Sequence, residues 1–260
     1  VISIQEDFTL SEDRQYSKSD NYQLAVKAYE EKEFESALRY LKEEINKNPD
    51  HAQAYFLLGK IYEDVRFDNG KYFSKMQHYY EKYLSIKPKG IRTEYVKLKL
   101  AQYYLREGLK GGNETLLAKA EDYLLSLDQT NGMVKMGLGA IYMNSEKYEQ
   151  AIIEFEKAIT LPDEELKLKY SSLGLAYIKT KNWDKAEKYL QVAVKIDPSN
   201  KYVHYMLGFT YMKKNKLEDA ELSFKEALML DPKYKYAKIN LRRVQKALKI
   251  DKNQHSDIVP

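Results

Sequence analysis

Residues 201–234 read KYVHYMLGFTYMKKNKLEDAELSFKEALMLDPKY, and their small and apolar side chains recur every three or four positions. That period places these side chains on one face of a helix. The polar run 213–216 interrupts the pattern, so we expect two helices joined by a turn. Pro232 ends the second helix, because proline cannot continue the hydrogen-bonded backbone of a helix. The segment therefore predicts one antiparallel pair of helices.

The same arrangement recurs upstream at a spacing of 34 or 35 residues. Within residues 201–234, Gly208 and Ala220 are small enough to let the two helices of the pair approach closely. A fixed period of this kind indicates a repeat architecture in which each unit stacks on the next. The positions that recur in the three regular units are Leu207, Gly208 and Tyr211, then Leu173, Gly174 and Tyr177, and then Leu138, Gly139 and Tyr142.

This pattern resembles the tetratricopeptide repeat family from about Lys18 to Ile250. The resemblance implies an all-α fold, a right-handed superhelical solenoid of antiparallel helix pairs. We expect an amino-terminal tail at 1–17, a solenoid at 18–234, a capping helix at 235–250 and a carboxy-terminal tail at 251–260. Within the solenoid we expect six helix pairs, at 18–51, 52–93, 94–131, 132–166, 167–200 and 201–234.

The first three units are less regular than the last three. In the first unit Ala25 replaces the glycine, and Leu24 is expected beside it in the core. The second unit contains extra residues near 66–70, between its two helices. In the third unit, the loop between the helices is expected to be lengthened by Gly108, Gly111 and Gly112.

The last predicted helix, at 235–250, resembles the capping helices that cover the open end of a solenoid and present a more polar outer face to solvent. Its apolar stripe is surrounded by lysine and arginine, and a solvated capping face is favoured over a nucleic-acid patch. The stripe consists of Ala237, Leu241, Val244 and Leu248. In the amino-terminal tail, Ile2, Ile4, Phe8 and Leu10 alternate, so this tail is a candidate to lie extended against a partner or against the solenoid.

Composition and motifs argue against an enzyme. The chain has no cysteine, which excludes disulfides and thiolate chemistry, and its four histidines are scattered. It contains no phosphate-binding loop, no dinucleotide glycine motif, no His-Glu-x-x-His pair and no elbow serine. His204 is expected to pack in the core. We therefore expect no catalytic residues, no cofactor and no bound metal.

The resemblance places a partner-binding site on the concave side of the solenoid, lined by the first helix of each pair at the second, fifth, ninth and twelfth repeat positions. In the regular units these positions are almost all apolar, and methionine there suits varied partners because its unbranched chain repacks easily. The alternative, that they pack on neighbouring helices or lie under the chain's own tail, stays open. We call these twelve residues the inner face: Met133, Met136, Ala140, Met143, Leu168, Ser171, Leu175, Ile178, Tyr202, Tyr205, Phe209 and Met212.

The inner face is unlike the best-known ligand site of the family, a clamp of lysine and asparagine for acidic chaperone tails. The fifth and ninth positions of the first two regular units are Met136, Ala140, Ser171 and Leu175, so these units lack the clamp. The amino-terminal units are more polar, which leaves a contact with an acidic segment open there. Their polar residues are Gln53, Lys60, Lys99 and Gln102.

From these features we expect a non-catalytic scaffold or adaptor that binds a hydrophobic or amphipathic segment of a protein or peptide partner. One alternative is the soluble part of a bacterial envelope-anchored assembly factor, since several such factors resemble this chain in size and repeat number and the start at Val1 without a leader is compatible with it. Another is a nucleic-acid-binding helical repeat, which the near balance of 43 basic and 39 acidic residues disfavours. No apolar stretch is long enough to span a membrane, so membrane contact is expected only through a removed leader or anchor or through a partner. The sequence leaves the cytoplasm and the bacterial envelope or periplasm both open as locations.

Overall fold

The computed structural model describes residues 19–65, 71–161 and 166–256, and the regular elements within these ranges are all helices. Each odd-numbered helix up to α11 packs against the helix that follows it, giving six pairs and a last helix, α13. This confirms the predicted all-α fold of stacked helix pairs. In chain order, helices α1 to α13 span Asp20–Glu30, Phe34–Lys47, Ala52–Asp64, Lys71–Ile86, Ile91–Gly111, Glu114–Leu125, Gly132–Asn144, Tyr148–Thr160, Leu166–Lys179, Trp183–Ile196, Lys201–Lys213, Leu217–Leu230 and Lys235–Ser256.

Internal contacts divide the chain into two units, the first ending at Leu127 and the second beginning at Asp128. The first unit contains α1 to α6 and the second contains α7 to α13. All twelve residues of the inner face belong to the second unit. The unit boundaries of the six repeats given above stay predictions.

Glycine brings the two helices of a pair into close contact, as its spacing predicts. A Cβ atom built on Gly208 would lie 2.9 Å from the Phe224 ring, and one on Gly174 would lie 2.6 Å from Cγ of Leu190. The space left by the missing side chain is therefore filled by a large residue of the partner helix. Ala220, on the partner helix of Gly208, is fully buried.

The turns inside the pairs share one backbone geometry. Lys32, Glu146, Lys181 and Asn215 occupy equivalent turn positions, and each has a φ near +60°. In this left-handed conformation the chain reverses after the first helix, and the next amide closes the helix end with a bond to a carbonyl five residues back. Between pairs, Asn200 caps the start of α11 by accepting from the amide of Tyr202 at 3.0 Å.

Tyrosine at a recurring position joins one helix pair to the pair before it. Its hydroxyl is hydrogen-bonded to an acidic or amide side chain on the second helix of the preceding pair. These contacts fix the register of successive pairs; the first two are partly buried and the third is exposed. They are Tyr104 with Glu81, Tyr177 with Glu156 and Tyr211 with Gln191.

In the third pair the prediction of a lengthened loop is wrong, because the helix itself is longer. Helix α5 continues through Gly108 to Gly111, and only Gly112 and Asn113 separate it from α6. Gly112 ends α5 in the left-handed conformation, and Asn113 caps α6. Gly108 is the close-approach glycine of this pair, since a Cβ atom there would lie 2.7 Å from Cδ2 of Leu117.

Two further expectations differ from the structure at the ends of the chain. Helix α13 runs to Ser256, so the first part of the predicted tail 251–260 is helical. Leu24 is 44% exposed and not a core residue, because no described helix precedes α1 to cover it, whereas Ala25 beside it is buried. The apolar stripe of α13 packs as predicted, with Ala237 and Val244 buried against α12.

Several sequence features lie outside the described residues. They are the alternating residues of the segment 1–17, the extra residues near 66–70, and the last four positions, 257–260. Within the described ranges, none of the helices combines the length and the apolar character needed to cross a lipid bilayer.

Candidate partner-binding face

The inner face lies on α7, α9 and α11, the first helices of the three pairs in the second unit. Each of these helices buries a different face in the core, where Leu138, Leu173 and Leu207 are at most 7% exposed. None of the twelve inner-face residues is buried. The most open of them are Met133 at 39%, Leu168 at 47%, Leu175 at 36% and Tyr202 at 55%.

Half of the inner face also contributes to core packing. Met136, Met143 and Ile178 pack against the core formed by α8 to α11. Tyr205, Phe209 and Met212 pack against the core formed by α12 and α13. These six side chains are therefore partly buried against the core, and the assignment of the inner face to partner binding stays a prediction.

The first helices of successive pairs approach one another within the second unit. Helix α9 contacts α11, and α11 contacts α13. Among the described residues, no comparable contact joins α8 to α10 or α10 to α12. Helices α9, α11 and α13 therefore lie beside one another within the second unit.

Aromatic rings cluster at the end of the inner face near α13. The ring of Tyr234 lies edge-on to Tyr202 at 5.6 Å and to Tyr205 at 5.2 Å. Trp183, the single tryptophan of the chain, lies edge-on to Phe209 at 6.3 Å. Trp183 and Tyr234 are not predicted by the repeat register, because they lie at a helix start and in a turn, positions that the register does not assign to the inner face.

The phenol groups of Tyr234 and Tyr205 are neutral at physiological pH. Burial and the neighbouring phenol groups of Tyr205 and Tyr202 raise the pKa of Tyr234 to about 12. Burial likewise raises the pKa of Tyr205, although the hydrogen bond from Asn240 opposes this shift. These two residues therefore present apolar ring surface with neutral hydroxyl groups.

A lysine–aspartate pair borders the aromatic cluster. Nζ of Lys201 lies 2.6 Å from a carboxylate oxygen of Asp231, and its hydrogen bond to that carboxylate raises the lysine pKa. The same hydrogen bond lowers the pKa of Asp231. Because the lysine also lies over the rings of Tyr202 and Tyr234, at 5.0 and 5.6 Å, it holds them in place.

Of the four polar residues noted in the amino-terminal units, Gln53, Lys60 and Lys99 are buried or paired within the protein, whereas Gln102 is exposed. Gln53 and Lys60 are buried. Lys60 pairs with Asp64 at 2.9 Å, and Lys99 pairs with Glu63 at 2.7 Å. The two ammonium groups are therefore neutralised by the chain's own carboxylates, which weakens the case for an acidic ligand in the first unit.

His204 occupies a structural position. Its side chain is buried, and its Nε2 atom lies 2.9 Å from the carbonyl oxygen of Pro198 in the turn before α11. This contact explains a histidine at a repeat position that is otherwise apolar or aromatic. In the ranges 19–65, 71–161 and 166–256, no group of three histidine or acidic side chains is placed to hold a metal ion.

Three family models, each described as tetratricopeptide repeat, match residues 18–66, 134–164 and 177–239, together more than half of the chain. The chain belongs to the tetratricopeptide repeat family. The residue types that carried the resemblance lie where the family fold requires them, with Gly139, Gly174 and Gly208 at the crossings of the helix pairs. None of the three matching models describes an enzyme family.

Solved structures agree with this fold. YrrB, described as a TPR protein with an unusual peptide-binding site, is 17% identical with a TM-score of 0.59, and the match covers 78% of this chain and 97% of that one. The APC/C hetero-tetramer Cut9-Hcn1 is 19% identical with a TM-score of 0.51, over 90% of this chain and 50% of that one. A comparison with curated protein sequences finds no match.

Proposed function

We propose that this tetratricopeptide repeat protein is a non-catalytic adaptor that binds an apolar or amphipathic segment of a partner protein along its inner face. The observation that carries the proposal is the exposure of this face on helices that already bury a separate core face. Contiguous apolar surface that the fold itself does not bury generally marks an interaction site. The peptide-binding site named for YrrB is consistent with this use of the fold.

The chemistry of the inner face suits an apolar ligand better than a charged one. Methionine and leucine on α7 and α9 supply adaptable apolar contacts, and the rings on α11 supply rigid ones. Ser171 is the one inner-face residue with a polar side chain other than the phenols, and its hydroxyl donates to the carbonyl of Leu168 in its own helix. The face therefore offers few polar groups that a charged ligand would need.

The strength of such binding follows from surface burial. A partner helix that buries about 600 Å² of apolar surface gains roughly 15 kcal/mol at ~25 cal/mol per Å². Association costs about 4–15 kcal/mol, which leaves binding in the micromolar range, or the nanomolar range at best. This strength suits an adaptor that captures and releases its partner.

The test compares charged substitutions on two apolar surfaces of the same unit. Leu175→Glu and Tyr202→Glu place a carboxylate on the inner face, at side chains exposed enough to tolerate it. Leu222→Glu and Met229→Glu make the same change on α12, outside the inner face, where these residues are 60% and 75% exposed. Crosslinking pull-down with quantitative mass spectrometry then identifies proteins captured by the wild type.

We expect these proteins to be lost from both inner-face variants and retained by both controls, because a buried unpaired carboxylate weakens apolar binding by roughly a hundredfold. Equal capture by all five proteins would refute the inner face as the binding site. Phe209→Glu and Met136→Glu extend the test to residues that also pack on the core, with circular dichroism as the check that the helices persist.

Two alternative functions stay predictions with their own tests. A role as a bacterial envelope-anchored assembly factor predicts a hydrophobic leader encoded upstream of Val1. Nucleic-acid binding predicts an affinity that falls steeply with salt concentration, with a slope that tracks several phosphates.

A further inference from the structure

Helix α13 continues the register of the inner face. A shift of 34 residues carries the four inner-face residues of α11 onto Tyr236, Ile239, Arg243 and Lys246. Since the first helices of successive antiparallel pairs run in the same direction, α13 occupies the place of the first helix of another pair. We call these four residues the α13 row.

Burial along α13 agrees with this register. Ala237, Asn240 and Val244 are at most 6% exposed and form the face that packs on the preceding pair. The α13 row lies on a different face, where Tyr236 is 62% and Ile239 is 37% exposed, and its two basic side chains are also exposed. The helix therefore leaves an open face next to the inner face and does not only close the core.

Side-chain contacts join the α13 row to α11. The ring of Tyr236 lies 6.4 Å from that of Tyr205. Asn240 donates to the hydroxyl of Tyr205 at 3.3 Å, and Nη1 of Arg243 donates to the side-chain oxygen of Asn240 at 3.3 Å. This chain of hydrogen bonds holds the guanidinium group beside the aromatic cluster of the inner face.

The α13 row changes from aromatic and apolar at its start to cationic at its end. Residues 235–250 include six basic residues and no acidic residue. Within the described part of the chain, Arg243 and Lys246 form no ion pair with a carboxylate. Lys213, exposed at the end of α11 and 5.5 Å from the Phe209 ring centre, adds a third positive charge at the same end of the parallel helices.

From this juxtaposition we infer that the inner face extends onto α13 and that its partner segment carries acidic residues next to its apolar ones. The apolar residues of the segment contact α9, α11, Tyr236 and Ile239. Its carboxylates meet Arg243, Lys246 and Lys213. The inference rests on the proposed function and adds to it the charge pattern of the ligand.

The expected contribution of the charges is modest and measurable. An exposed ion pair changes affinity by a factor of up to about five. Reversing both charges of the α13 row replaces attraction by repulsion, so we expect roughly a tenfold loss of affinity for an acidic segment. Because such charges are screened, the difference should shrink as the salt concentration rises above ~0.15 M.

The experiment uses a displayed library of random peptides selected on the full chain. The wild type is compared with the double variant Arg243→Glu/Lys246→Glu, which we call the row variant, and with the control Arg242→Glu/Lys249→Glu. The control makes the same charge change at exposed α13 positions outside the row. Peptides enriched on the wild type are then synthesised, and their affinities are measured through the fluorescence of Trp183, which contacts Phe209.

We expect the wild type and the control to enrich apolar peptides with a cluster of acidic residues at one end. The row variant should enrich equally apolar peptides with neutral or basic ends, and it should bind the wild-type peptides about tenfold more weakly. Arg243→Gln/Lys246→Gln should lose the acidic preference without reversing it, which checks that the effect follows charge. Circular dichroism confirms that the variants stay helical.

Enrichment of apolar peptides without a charge preference would overturn the inference and leave the proposed function in place. Equal acidic preference in the row variant would also overturn it. If no peptide is enriched, both proposals fail. A second measurement tests whether the wild type retains a single-stranded oligouridylate. Retention that is lost at high salt and in the row variant would assign the α13 row to nucleic-acid binding and refute the acidic peptide as its ligand.

Discussion

Replacing Gly139 with alanine adds one methyl group where two helices cross, and the structure gives the size of the resulting strain. The new Cβ atom would lie 2.3 Å from Cε1, 2.6 Å from Cδ1 and 2.8 Å from Cζ of Phe155. Since the phenylalanine is only 2% exposed, its ring cannot swing into solvent. The ring or the helix must therefore move by about 1 Å to reach an ordinary contact distance near ~3.5 Å.

Overpacking of a core by one methyl group costs about 1–3 kcal/mol, and the contact with three ring atoms places this site at the upper end. Alanine gains back up to about 1 kcal/mol over glycine inside a helix. The free energy of unfolding should therefore fall by about 2 kcal/mol. For a unit of this size, the melting temperature should fall by roughly 7 °C.

Gly111→Ala is the matched control, because a Cβ atom on Gly111 would meet no atom within 4 Å. It should keep the stability or raise it by up to about 1 kcal/mol. Thermal unfolding followed by circular dichroism measures both variants. Combining Gly139→Ala with Phe155→Ala should cost at least ~1 kcal/mol less than the sum of the single changes, since the truncated ring removes the clash. A melting temperature for Gly139→Ala at or above the wild type would refute the packing argument.

Two further predictions concern the turns and the loss of stability at low pH. Lys181→Gly should raise the free energy of unfolding by about 0.5–1 kcal/mol, because φ at this position is +59° and only glycine adopts this angle freely. The control Lys181→Ala keeps the backbone strain and should change the free energy of unfolding little. Burial by itself raises the pKa of Glu63, but the hydrogen bond and charge of Lys99, with hydrogen bonds from Tyr80 and Tyr95, outweigh it and hold this pKa below 4.5. A carboxyl group whose pKa is lowered by folding stabilises the fold at pH values above its unfolded-state pKa, and this contribution is lost as the pH falls through its folded-state pKa. The melting temperature of Glu63→Gln should therefore fall less than that of the wild type between about pH 5 and pH 3. Parallel curves of melting temperature against pH for the two proteins would contradict the assignment.

The sequence predicted the helix pairs because the repeated residues act locally. Gly174 and Leu190, for example, fit each other within a single pair, and this fit recurs wherever the period places the same residue types. The third pair is the exception, because its predicted loop is part of a helix. Three glycines in a short stretch predict a loop, yet Gly108 and Gly111 stay helical because α5 packs on α6 through Gly108. Tertiary packing there outweighs the weak helix propensity of glycine.

The position of the inner face was predictable from the repeat register, but its aromatic border was not. A shift of one repeat from Tyr202 locates Tyr236, so the extension onto α13 carries a signal in the sequence. Trp183 carries no such signal, because its contact with Phe209 depends on how the start of α10 sits against α11. The pairing of Lys60 and Lys99 with carboxylates is likewise invisible in the sequence, since both partners are polar residues without periodic spacing.

The proposed function couples binding to stability, because several residues of the inner face also pack on the core. Phe209 and Tyr205 pack on the core while their outer edges stay open, so a charge at either position disturbs the fold as well as the surface. Leu175 and Tyr202 are more exposed, and charges there report on the surface with less effect on the core. A partner that covers the rings of Phe209 and Tyr205 should therefore also raise the melting temperature of the second unit, since a ligand that binds only the folded state stabilises it by mass action.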